Sequence, residues 1–343
     1  MNRKVCMDVA AGIPGVNVPE GSTFAPEEAR SLIAAAIGAL PEEIYFTAGS
    51  AEADALAVNA AVRASGKEHP HIITTLLEDD SVLEACGEQE ERGAEVSYIC
   101  PISTGRVEVA MIEDELTPDT CLVSMTAANR ETGTSEPFTG VGAMTSEQGI
   151  FFHLGAAYAY GKMPINVDRS HIDMLSADAS CFGGPEGIGF LYARKSTGAG
   201  TYIRETMTDK EKISAMAAAA KKAAEDVPGY MERMRAVRDH LCLRIFTEIE
   251  DVELYGHKDH HLVNHLEVRF RNVSASVVRK GLAEAEMYAG IGSGSEILQV
   301  LGKPEAETAE AVRFSLACDV TEEDVDRVVD CLKDIVRGQR VIG

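Results

Sequence analysis

Between residues 44 and 193, short apolar runs alternate with stretches of helical periodicity, and this alternation restricts the fold more than any other feature of the chain. The runs lie at 44–46, 72–75, 95–99, 121–125, 149–154, 173–178 and 187–193, and helical patterns fill 51–65 and 81–92. Short β-rich runs separated by helices read as strands buried on both faces, as in a mostly parallel sheet covered by helices. The expected unit is an α/β domain over roughly residues 30–200.

A helical stretch at 205–250, rich in Ala, Lys and Glu, is broken at Val227-Pro228-Gly229, where proline withdraws a backbone donor. Strand, helix, strand and helix follow at 262–270, 274–285, 311–317 and 321–337, the last opened by Thr321 with Glu322, Glu323 and Asp324 in its first turn. This is the pattern of a second, smaller α/β domain. The large domain is expected at 20–210, and the small one at 1–19 with 211–343, including the connecting helix.

With 343 residues, 45% of them hydrophobic, the chain can bury sizeable cores. A formal charge of −23 sets it against nucleic acid and anionic membranes, which would repel it at long range. No segment approaches the ~20 apolar residues of a membrane span. The opening MNRKVCMDVAAG lacks an apolar signal core, so a cytoplasmic location is expected. The cysteines, at 6, 86, 100, 121, 181, 242, 318 and 331, form no C-x-x-C pair, and neither a zinc ribbon nor a redox dithiol is expected. His257, His260, His261 and His265 straddle a turn and a strand whose alternate residues face opposite ways, so no metal site is expected of them.

The segment from His153 to Lys195, HLGAAYAYGKMPINVDRSHIDMLSADASCFGGPEGIGFLYARK, resembles the cofactor-lysine region of the class V aminotransferases, and most closely that of the cysteine desulfurases. The pattern there is H-V-D-A-x-Q-x-x-G-K-x-P-I-D, then S-x-H-K-x-x-G-P-x-G-I-G. Counting back from Gly184-Pro185 sets Cys181 on the lysine that holds pyridoxal phosphate and Ser180 on the neighbouring histidine. Phe46-Thr47-Ala48-Gly49-Ser50-Ala51-Glu52 resembles F-T-S-G-A-T-E, whose turn offers free N–H groups and a positive helix end to the cofactor phosphate. Asp79 stands where the family has the histidine that stacks on the pyridine ring. Asn129-Arg130-Glu131-Thr132-Gly133 resembles N-N-E-x-G, with Asn129 on the asparagine close to the cofactor. Gly155 replaces the aspartate that pairs with the ring nitrogen, and Tyr158 replaces a glutamine near the ring oxygen. Gly292-Ser293-Gly294-Ser295 resembles an S-G-S turn run directly into a helix, without the loop that carries the catalytic cysteine. Val312-Arg313-Phe314-Ser315-Leu316 resembles I-R-x-S-x, whose arginine binds the substrate carboxylate.

The resemblance covers nearly the whole chain and implies the fold of pyridoxal-phosphate-dependent transferases, a homodimer, and a site whose chemistry has been edited. Vestigial cofactor contacts are expected at Ser50, Asn129 and His153, and a carboxylate contact at Arg313. Cys181 is expected either to pack as a small buried residue or to act as nucleophile or ligand. A thiol cannot form the internal Schiff base, which requires an amine. Lys162 aligns with a lysine outside the cofactor role, and Lys195 falls beyond the motif. Three functions compete. The first is a desulfurase-like scaffold or partner subunit in sulfur or iron–sulfur cluster metabolism, without pyridoxal catalysis. The second is an enzyme of altered chemistry built on Cys181 and Arg313, and the third a working pyridoxal enzyme of unusual design. No cofactor is expected under the first, with noncovalent pyridoxal phosphate or an iron–sulfur cluster as alternatives. The expected partners are a second copy, an active desulfurase paralogue or a cluster scaffold protein.

Overall fold

The computed structural model describes residues 4–9, 24–292 and 295–342. The boundary expected at 19/20 and the Ser293-Gly294 pair lie outside the described residues. The strands are β1 (Val5–Met7), β2 (Ile44–Thr47), β3 (His71–Thr75), β4 (Glu95–Ile99), β5 (Thr120–Thr126), β6 (Phe151–Gly155), β7 (Met174–Asp178), β8 (Gly189–Ala193), β9 (Val252–Tyr255), β10 (His265–Phe270), β11 (Met287–Ile291) and β12 (Ala311–Ser315). The helices are α1 (Pro26–Ile37), α2 (Ser50–Ser65), α3 (Asp80–Glu91), α4 (Val109–Glu113), α5 (Phe138–Gln148), α6 (Lys210–Ala224), α7 (Val227–Glu248), α8 (Ala275–Glu284), α9 (Glu296–Val300), α10 (Glu305–Thr308) and α11 (Glu322–Ile342).

Among the described residues the strands form two sheets. The larger runs β2-β8-β7-β6-β5-β3-β4, parallel from β7 to β4, with β8 antiparallel to both its neighbours. The smaller runs β1-β11-β12-β10-β9 and is antiparallel except between β1 and β11. The mainly parallel large sheet follows from strands such as β3, β5 and β8, in which every residue is buried, because helices cover both faces. One core holds Ile33, Phe46, Val123, Phe152, Leu175 and Phe190 beneath α1 and α6. A second lies under α2 and α3 on the opposite face, and a third fills the small sheet around Val268, Phe270, Phe314 and Leu332. Each of these large apolar side chains contributes about 2 kcal/mol by leaving water.

The helical stretch expected over 205–250 is two helices. Ile213, Met216 and Ala220 of α6 bury with the large sheet, while Leu241 and Ile245 of α7 bury with the small one. Pro228 sits in the first turn of α7, where its missing donor has no intrahelical partner to lose. A loop at 129–136 stitches the two units together. The Leu262 N–H donates to Gly133 O at 2.9 Å, and the Ser135 N–H to His260 O at 3.1 Å. His265 Nε2 lies 2.7 Å from Glu131 O.

The parallel strands and β2 all point one way, so their carboxyl ends share one edge of the large sheet. That edge gathers Gly49 and Ser50 after β2, Asp79 after β3, Asn129 after β5, Gly155 at the end of β6, and Asp178 with Cys181 at the end of β7. Ligands of open α/β sheets bind at such edges.

Candidate active-site cleft at the sheet edge

The turn between β2 and α2 is built around Gly49. Its φ of +152° suits glycine, and a Cβ added there would meet Asp178 Oδ2 at 2.8 Å. Gly49 offers the helix no side-chain cap. The acceptor comes instead from a distant strand, with Ser50 N–H donating to Asp178 Oδ2 at 3.2 Å. Asp178 Oδ1 is held by the Ser180 N–H at 2.9 Å and the Ser180 hydroxyl at 2.6 Å. The helix end expected to face a phosphate therefore faces a carboxylate of this chain. Asp178 escaped the sequence reading, although S-x-H-K, counted back from Cys181, sets its serine at 178.

Behind this turn is a cavity of about 10 Å³, bounded by Ser50, Asp54, Glu78, Asp79, Gly155 and Tyr158 among others. Burial raises the carboxyls of all three acids, that of Asp54 to about 7. Asp54 accepts from the hydroxyls of Ser176 and Ser81, the latter at 2.7 Å. Glu78 accepts from the Thr75 hydroxyl at 2.5 Å and the Thr126 N–H at 3.0 Å. Wider hollows of about 370 and 470 Å³ lie elsewhere, beside Met163 and Arg169 and along α7.

The residues singled out in the sequence are partly gathered here, and most are committed to other partners within the chain. Asn129 is buried and its amide is engaged at both ends: Nδ2 donates to Leu77 O at 3.1 Å, and Oδ1 accepts the N–H groups of Glu131 and Thr132 at 2.9 and 3.0 Å. His153 lies below the edge, sealed between the Ser124 hydroxyl at 2.8 Å and the Ser176 hydroxyl at 3.1 Å. Burial pushes its pKa down to about 3, so the ring is neutral and does not open on the cleft. Cys181 is buried in the turn 179–182, and burial pushes its thiol up to about 11. A nucleophilic cysteine requires the opposite shift. Lys162 is buried beside it, its pKa lowered by burial and partly restored by that thiol, and Nζ donates to Tyr158 O at 3.0 Å.

Arg313 reaches the interface of the two sheets and finds carboxylates already there. Nη1 lies 2.8 Å from Glu131 Oε1 and Nη2 3.0 Å from Asp8 Oδ1, and the guanidinium is buried. The fork that suits a substrate carboxylate is thus occupied by the chain's own acids. The four histidines do not converge: His257 and His260 rest ring against ring at 4.7 Å, while His265 is buried against Glu131. Among the described residues no group of three or more His, Cys, Asp or Glu could hold a metal.

Pyridoxal phosphate does not fit the residues present. Its phosphate would meet Asp178, its ring would need far more than about 10 Å³ beside Asp79, and Gly155 brings no acid to the ring nitrogen.

The sequence profile of the class-V aminotransferases matches residues 17–215 and 211–328. Cysteine desulfurase IscS of Acinetobacter baumannii (strain AYE) is 33% identical over 332 residues, covering 92% of this chain and 82% of the relative. Cysteine desulfurase IscS of Dictyoglomus turgidum is 32% identical, covering 92% and 84%. Among solved structures, a NifS-like protein superposes with a TM-score of 0.88 at 25% identity, covering 98% of this chain and all of that one. DndA from Streptomyces lividans superposes with a TM-score of 0.74 at 26% identity, covering 84% and 87%. No helix among the described residues is long and apolar enough to cross a membrane. The two-sheet architecture, the ordered motifs and these relatives agree: the chain belongs to the aminotransferase class-V family.

Proposed function

We propose that this chain is a cysteine desulfurase-like protein that no longer performs pyridoxal-dependent desulfuration and serves sulfur or iron–sulfur cluster metabolism as a homodimeric scaffold or as the partner of an active desulfurase. The observation that carries the reading is Asp178 at the α2 N-terminus, where a carboxylate of this chain stands at the place the resemblance gives to a cofactor phosphate. Cys181 supports it by burial, because a thiol held at about 11 neither forms an imine nor ionises near neutral pH. The altered-chemistry reading, with Cys181 as nucleophile, is disfavoured for the same reason.

The rival pyridoxal reading needs an amine, and Lys162 is the buried one in the cleft. The test is an absorption spectrum of anaerobically purified protein with added pyridoxal phosphate, followed by intact mass after borohydride. The expected result is unmodified mass and no band near ~420 nm. A lysine adduct would overturn the reading. Broad visible absorption with iron and sulfide would replace the scaffold role by cluster binding.

A further inference from the structure

We propose that Asp178 is a resident anion: its carboxylate occupies the N-terminus of α2 in place of a phosphate, so that the native chain excludes phosphate monoesters there and removal of this one side chain uncovers an oxyanion site. The proposal rests on the reading above, that no phosphate-bearing cofactor is bound, and adds what occupies its place.

Three observations converge on it. The sixteen-residue helix α2 has a glycine N-cap with no side chain to offer, so its first N–H groups need an acceptor from elsewhere. Asp178 supplies one from 128 residues away, with Ser50 N–H donating to Oδ2. The approach is close enough to exclude a Cβ at position 49. A helix N-terminus carries about half a positive charge, which a carboxylate answers as a phosphate would. Asp178 is also fixed from behind, because Oδ1 takes both the N–H and the hydroxyl of Ser180. A second anion would have to displace a carboxylate that is tethered and already hydrogen-bonded. It would do so beside a cavity whose lining, with Asp54, Glu78 and Asp79, supplies no cation to receive it.

The experiment compares wild type, Asp178→Ser and Asp178→Asn by thermal unfolding in chloride and in inorganic phosphate at equal ionic strength, with phosphorus NMR line widths as the direct readout of binding. Wild type should unfold at the same temperature in both salts and leave the phosphate line sharp. Asp178→Ser should unfold lower in chloride, by about 2 °C or more, and recover in phosphate in a saturable manner with a broadened line. Asp178→Asn keeps an oxygen for Ser180 but loses the charge. It should show a smaller loss and the same direction of response, and it carries the test if the serine variant fails to fold. Phosphate stabilising wild type as much as the variants would overturn the proposal, as would variants that ignore phosphate. The readout involves no lysine. A borohydride-fixed lysine adduct in wild type with unphosphorylated pyridoxal would therefore sink the function reading while leaving the phosphate comparison to be judged by itself.

Discussion

Cys181 and Asp54 are the residues whose environments make the sharpest demands. With its thiol at about 11, Cys181 is thiolate in roughly one molecule in a thousand at pH 8. Alkylation followed by peptide mass spectrometry should modify the exposed Cys100 and Cys318 well before Cys181, and preferential labelling of Cys181 would restore it as a nucleophile. Asp54 titrates at about 7 in the folded chain against 3.8 as a free side chain, so the folded state holds a proton that the unfolded state releases between those values. Stability therefore falls as pH rises through that window, by at most about 4 kcal/mol from this group. Glu136, raised by burial to about 8, acts in the same direction. Asp54→Asn should flatten the profile, gaining on wild type as pH rises from about 4 to about 7 in denaturant titrations. A parallel pair of curves would show that Asp54 ionises freely.

At the scale of elements, the strands of the large sheet were legible because they are short, apolar and bounded by turns, and β4 at 95–99 was read to the residue. Among the strands, what escaped the sequence was short or interrupted, and the helices α1 and α5 were not read either. β1 has three residues, β9 is a half-exposed edge strand, and β11 carries a glycine in MYAGI, so none shows a run long enough to register as a strand. The same reasoning holds at the site. Motif spacing singled out Ser50, Asn129 and Arg313, but no local pattern announces that Glu131 meets Arg313 or that Asp178 meets α2. The loop at 129–136 offers a test of how tightly such elements are fitted. Gly133 has a φ of +69°, and an added Cβ would lie 2.3 Å from the His265 ring. Gly133→Ala should cost about 2 kcal/mol or more, from backbone strain and displacement of that ring. An unchanged melting temperature would mean that His265 moves without cost.

Over the whole molecule, a largely buried charge cluster ties the two sheets together. Arg313 joins Asp8 beside β1, Glu131 from the large sheet's loop and its own strand β12 at one point. Glu131→Gln keeps the shape but leaves Arg313 one anion short, and breaking a buried pair from one side costs about 2 kcal/mol or more. Calorimetry should show a lower transition that begins to split, as the small unit loosens before the large one. A single sharp transition at the wild-type temperature would reduce the bridge to ornament. The tethered carboxylate of Asp178 has a consequence beyond stability. A group delivered by its own backbone acts at a high effective concentration, so if Asp178 fills the phosphate's place as proposed, the fold needs no vitamin to complete this helix end. Its abundance in a cell starved of vitamin B6 should stay level.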